Sequence, residues 1–181
     1  WRSLRPERLL GSSRMGGMAL FARTRLDPEL KEAAGRRRAL ASGTSPEGQV
    51  AGLVDALLFR QDGAWQEQPW HRIERGSWDA ETHSLNWLDV EGRSWRLALS
   101  EPGQLPDFFN ERVTASIACV RTVDLGRGRT ALITARRDLG DGSRPLVWRV
   151  SPGKGVRADE LAQDPLVAIA LDQLRAEFDA R

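Results

Sequence analysis

The chain is poor in the residues that usually announce chemistry. It has one cysteine, Cys119, two histidines, His71 and His83, and no tyrosine. A single thiol closes no intrachain disulfide, so the fold is expected to be independent of oxidation and the protein to be cytoplasmic. Three His/Cys side chains scattered along the sequence fall short of an ordinary zinc site, which needs three or four converging ligands, and no cofactor is expected. No run of about 18 apolar residues occurs, which argues against a transmembrane helix. Nor does an apolar run ending in small residues open the chain, as a secretory signal would require. Lysine is nearly missing as well: 25 arginines stand against Lys31 and Lys154. That bias runs the whole length and reads as the codon usage of a GC-rich genome rather than selection for phosphate sites.

What remains suits a folded globule. Of 181 residues, 40% are hydrophobic and 29% charged, enough apolar surface for a core without staples. Charge is unevenly placed. Residues 1–40 hold ten basic and four acidic groups, whereas residues 41–181 hold 17 basic and 21 acidic ones. Basicity thus belongs to an N-terminal arm, residues 1–26, and the body is acidic. Met15 and Met18 offer alternative starts, and the expectation is that residues 1–17 precede a native start at Met18. A nucleic-acid argument from overall charge then loses its basis.

Local chemistry predicts mainly β structure. Asp27-Pro28-Glu29 is a helix start, and Gly35 is placed to end that short helix. Strands are expected near 37–42, 49–54 and 56–59, with Asp62-Gly63 as a tight turn. Residues 69–99 read as a three-stranded meander: one strand over 69–79, then alternating strands around Leu85 and Trp87 and around Trp95, Leu97 and Leu99. Pro106 to about Arg112 reads as a short helix. Val113, Ala115, Ile117 and Cys119 alternate as one face of a strand, which buries Cys119 as an inert thiol. Gly126-Arg127-Gly128 predicts a hairpin between that strand and one over 130–135, and Leu146–Val150 is the last strand. Asp164-Pro165 starts a C-terminal helix over 165–180, whose stripe of Val167, Ala170, Leu171, Leu174 and Phe178 is expected to pack on the sheet.

The run Pro69-Trp70-His71-Arg72-Ile73, continuing through Trp78-Asp79-Ala80-Glu81-Thr82 to Leu85, resembles the bacterial pleckstrin-homology-like (PH-like) domains. Glu111-Arg112-Val113-Thr114-Ala115-Ser116 also resembles a stretch in small bacterial proteins of this kind. The resemblance implies a strongly bent antiparallel barrel closed by a helix. The expected fold is therefore α+β and mainly β: a bent antiparallel sheet or PH-like barrel over residues 27–181, with a C-terminal capping helix. Such barrels serve as lipid, peptide or protein binding modules, so the fold does not fix the ligand.

Candidate chemistry is sparse. His71 and His83, with Glu74, Asp79 and Glu81 nearby, read as surface histidines. Gly126-Arg127-Gly128-Arg129-Thr130 lacks the spacing and the Lys-Ser/Thr of a phosphate loop. The sequence offers a binding surface instead: Arg127, Arg129, Arg136 and Arg137 around the hairpin, and Trp70 and Trp78, which would face one way on a single strand unless a bulge at Gly76 intervened. The tryptophans Trp70, Trp78, Trp87 and Trp95 also suit a shared core. The resulting expectation is a non-enzymatic binding or scaffold module for a protein or peptide that meets a strand edge or the barrel mouth. The alternative is a peripheral binder of anionic membrane or nucleic acid that uses the N-terminal and 127–137 arginines. An enzyme built near His71 and Asp79 ranks last.

Overall fold

A computed structural model of the chain describes residues 26–179, so the N-terminal arm and its arginines lie outside the described residues. The first element is α1 (Pro28–Ala34), started as its sequence implies, with the Asp27 side chain accepting the Glu29 amide. Four antiparallel strands follow as a meander: β1 (Ala41–Ser45), β2 (Gly48–Gly52), β3 (Ala56–Gln61) and β4 (Ala64–Pro69). Asp62 and Gly63, both at positive φ, make the turn between β3 and β4, the geometry whose twist matches a two-residue hairpin. A second meander contains β5 (Ile73–Asp79), β6 (Ser84–Asp89) and β7 (Ser94–Ala98). Helix α2 (Leu105–Ala115) comes next, then a third sheet in the order β10-β9-β8, built from β8 (Ile117–Asp124), β9 (Thr130–Arg136) and β10 (Val147–Pro152). The chain ends with α3 (Ala158–Leu161) and α4 (Pro165–Asp179).

The main core lies where the first two sheets meet α2. Val50, Leu57 and Phe59 from one sheet pack with Ile73, Leu85, Trp87 and Leu97 from the other. Helix α2 inserts Leu105, Phe109 and Val113, which sit at helical spacing on one face. Its seat is cut by two glycines. A Cβ on Gly52 would fall 2.5 Å from the Phe108 ring, and one on Gly76 would fall 2.5 Å from the fully buried Phe109 ring. Neither glycine has positive φ, so the requirement is space rather than backbone freedom. A smaller cluster forms where α1 buries Leu30 and Ala34 against Leu53 and Leu58.

The third sheet has its own apolar cluster. Leu125 and Ala131 meet Leu161 of α3 and Val167 of α4, while Phe178 sets its ring edge-on to Trp148. The expected α4 stripe thus meets a sheet, with Val167 and Leu174 its most buried members.

Several expectations need correction. Three separate antiparallel sheets are present and no closed barrel forms. The expected 69–79 strand is divided among three elements: Pro69 ends β4, Trp70–Arg72 is a 3-10 turn, and β5 starts at Ile73. Trp70 and Trp78 therefore do not share a strand, and the bulge falls between Ile73 and Arg75 rather than at Gly76. Val113 belongs to α2, not to a strand. The i, i+4, i+8 spacing of Leu105, Phe109 and Val113 extends the helix to Ala115, and β8 starts only at Ile117. Cys119 is half-buried on β8 rather than fully buried.

Replacing Gly76 by Ala should destabilise the fold by about 1–3 kcal/mol, the usual cost of overpacking a filled core. Gly142→Ala, where nothing lies within 4 Å of the added carbon, should change stability by less than about 0.5 kcal/mol. Urea unfolding of the two variants checks the difference.

Candidate binding surfaces

The side chains offered by the sequence as a binding surface separate once placed. Trp70 is fully buried. Its indole N–H donates to the Leu53 carbonyl at 3.0 Å, and its ring meets Phe108 and Phe109 edge-on. It is a core residue, and the surface reading of Trp70 is corrected. Trp78 is half-buried, packs against the main core and stacks on His83. Trp87 and Trp95 lie parallel, 5.8 Å between ring centroids. The Trp87 N–H reaches Gln68 and the Trp95 N–H reaches Asp89. The shared-core arrangement of these four indoles is what the coordinates contain.

The arginines of the 127–137 segment divide in the same way. Arg136 is 6% exposed and is not a surface cation. Its Nη1 donates to the Val113 carbonyl and to Ser116 Oγ, both at 2.7 Å, and its Nη2 donates to the Glu74 carbonyl at 2.8 Å. It thereby neutralises the C-terminal end of α2, where free carbonyls carry partial negative charge. Burial pulls the Arg136 guanidinium pKa down, against the attraction of Glu74. Glu74 is the extra residue of the β5 bulge. Its carboxylate accepts Arg149 Nε at 3.1 Å and Ser151 Oγ at 2.9 Å on β10. One bulged residue and one buried arginine thus tie the third sheet to β5 and α2. Arg129 bonds the Leu125 carbonyl and lies 4.0 Å from Glu160. Only Arg127 and Arg137 of the four are exposed without an ion pair among the described residues.

His71 does not join Asp79. His71 sits in the 3-10 turn before β5 and Asp79 ends that strand, roughly 20 Å away at ~3.3 Å per residue. The Thr82 hydroxyl, then the Thr82 and Glu81 amides, hold the Asp79 carboxyl below the usual range. His71 is half-buried, and burial lowers its pKa from the ordinary 6.5, opposed by Asp138 and Asp55 and reinforced by Arg72 and Arg144. Among the described residues, no group of three or more His, Cys, Asp or Glu is arranged to hold a metal ion, and no helix is long and apolar enough to cross a membrane.

Sequence reasoning missed two structural charge sites. Arg37 donates to both Glu67 oxygens at 2.8 and 2.6 Å and to Asp55 at 3.1 Å. The Glu67 bonds raise its pKa above the ordinary arginine value, against burial. Asp89 is buried and accepts the Glu91 and Arg93 amides, Arg93 Nε and the Trp95 indole. Burial alone would raise its pKa, but these donors hold it below the usual carboxylate value. Asp89-Val90-Glu91-Gly92 carried the Asx-turn signal for the second of these sites.

Two surfaces remain uncovered. Strand β8 forms the outer edge of the third sheet, with no strand beside it among the described residues. It is eight residues long and Val120 on it is 54% exposed. The outer face of β5–β7 holds a groove of about 500 Å³ bordered by Arg75 and Arg96.

Arg136→Met should destabilise by about 2–5 kcal/mol, because it leaves buried acceptors on Val113, Ser116 and Glu74 without their donor. Arg149→Ala, at an exposed pair, should cost no more than about 1 kcal/mol. Chemical denaturation of both variants checks the contrast. His71 adds a pH dependence. Its folded-state pKa lies below the unfolded value of 6.5, so the unfolded chain binds more protons as pH falls through 6.5 and stability drops. His71→Gln should flatten that part of the stability–pH curve, measured by urea midpoints from pH 8 to 5.

No family model matches the chain, and neither does any curated protein or solved structure.

Proposed function

We propose that this protein is a non-catalytic binding module whose partner is a peptide or an extended segment of another protein, added as a strand along β8. The observation that carries this reading is the open edge itself. Seven of the eight residues of β8, all but the bulged Ala118, pair on one side with β9, and the strand pairs on the other with nothing among the described residues. An open edge presents a row of backbone donors and acceptors, and proteins ordinarily blunt such edges with proline, lysine or inward charge. This one carries neither proline nor lysine, only Arg121 and a terminal Asp124, with Ile117, Val120, Thr122 and Val123 favouring extended structure. Strand addition supplies affinity through main-chain bonds and selectivity through alternate side chains.

The order of elements supports the PH-like reading of the first part of the chain. Four strands, three strands and then a helix seated between the two sheets follow one another. The arginine-based alternative has less to act through, because Arg136 and Arg129 are engaged within the protein.

Peptides selected on the purified protein from a random display library should protect β8 amides from hydrogen exchange. Val120→Lys, a charge on the open edge, should weaken binding at least about tenfold without unfolding the protein. Protection confined to other elements, with residues 117–124 unchanged, would refute the strand-addition reading.

A further inference from the structure

We propose that the outer face of β5–β7 is a second, separate binding site, for an acidic peptide segment held by two carboxylates. This goes beyond the β8 reading and uses a different sheet.

The register fixes the layout of the face. Arg75 on β5 stands opposite Leu88 on β6, which stands opposite Ser94 on β7. One step along, Ser77 stands opposite Asn86, which stands opposite Arg96. Each row thus carries one arginine and one serine on its two outer strands, and the arginines occupy diagonal corners. Their Cα atoms are roughly 12 Å apart, from two strand spacings of ~4.8 Å and two residues of ~3.4 Å. The groove between them is the 500 Å³ depression on this face.

The chemistry of the face is that of an anion receptor. Arg75 and Arg96 are exposed, and neither is in a salt bridge among the described residues, whereas Arg37, Arg60, Arg72, Arg93 and Arg149 all are. Ser77 and Ser94 are exposed hydroxyl donors beside them. Asn86 is held in place by bonds from its amide to Ser84. Carboxylates near Arg96 are engaged in their own turns: Asp79 accepts two backbone amides, and Glu47, which with Asp62 borders a second depression beside Arg96, accepts the Asp62 and Gly63 amides. Two unpaired guanidinium groups therefore stand on a body whose residues 41–181 are net acidic. Arginine recognises carboxylates bidentately and keeps its charge at any physiological pH.

The form of the groove selects the kind of acid. It is a shallow face of a sheet, and a small ligand needs most of its surface enclosed to bind well. An extended peptide does not, since it spreads its contacts along the strands. Side chains two to four positions apart in an extended chain are about 7–13 Å apart, which matches the diagonal. Nucleic acid is disfavoured by the acidic body, and the two indoles that border the groove are engaged rather than free for base stacking: Trp87 is 4% exposed, and the half-buried Trp95 stacks on it and packs against the core. The chain's own first 25 residues, with six arginines and one glutamate, have the wrong sign to fill it.

The test uses the full chain and blocked Gly/Ser peptides carrying two glutamates at spacings of two, three and four, titrated by calorimetry at low salt. Saturable binding below about 1 mM is expected, weakening as salt is raised. Arg75→Ala and Arg96→Ala should each lower affinity about tenfold, as loss of a charged hydrogen bond does, and the double reversal R75E/R96E should abolish it. Arg137→Ala, an exposed arginine on another sheet, and Val120→Lys on β8 should leave it unchanged. Absence of saturable binding, equal binding by the R75E/R96E protein, or tighter Arg75-dependent binding to duplex DNA or phosphatidylserine vesicles would each overturn the proposal.

Discussion

The seating of α2 on two glycines is the constraint from which the rest follows. Phe108 and Phe109 are adjacent on the helix and approach different sheets, one at Gly52 and the other at Gly76. Only the absence of a Cβ at both positions lets the helix come close enough to join the cores of the two meanders. Full burial of a side chain the size of Phe109 is worth about 1.5–3 kcal/mol. The helix also fixes Trp70, whose ring is held between Phe108 and Phe109 while its N–H is satisfied by Leu53. The end of the same helix then presents Val113 and Ser116 to Arg136, so its position decides where the third sheet can dock.

The two joints differ in kind. Between the first two sheets the contact is apolar and continuous. Between β5 and the third sheet it is polar and narrow: the Glu74 bulge on one side, Arg136, Arg149 and Ser151 on the other. Its buried member, the Arg136 guanidinium, penalises misalignment heavily because it is costly to leave unpaired, whereas the Arg149–Glu74 pair is exposed and adds little. That contrast accounts for where the free surfaces lie. Docking through one bulged residue leaves β8 at the far side of its sheet with no strand beyond it among the described residues, and leaves the outer face of β5–β7 exposed.

Turn chemistry was the most legible part of the sequence. Asp27-Pro28, Asp62-Gly63, the Asp79–Thr82 turn and Asp164-Pro165 each mark an element boundary, because short-range backbone preferences decide those sites without tertiary help. The apolar alternation around Leu85, Trp87, Trp95 and Leu97 likewise revealed β6 and β7. Strand β4 was invisible, since Ala64-Trp65-Gln66-Glu67-Gln68-Pro69 has no apolar period. It is a strand because the turn before it returns the chain along β3. Around Val113 two periods overlap, and the helical one wins because it lets Val113 join Leu105 and Phe109 in the core. Surface residues were least legible. Arg136 reads like its neighbour Arg137, yet it alternates with the buried Ala135 toward the α2 side of the sheet, where only a long-range contact could reveal its carbonyl partners. The Arg75 and Arg96 pair needed the register of three strands to be seen at all.

Native-state amide hydrogen exchange tests the central claim most directly. If α2 holds the two meanders together, amides of Phe109 to Val113 will exchange with the same opening free energy as those of β3, β5 and β6, equal to that of global unfolding. Exchange from α2 through a separate, low-energy opening, with both meanders still protected, would contradict the account.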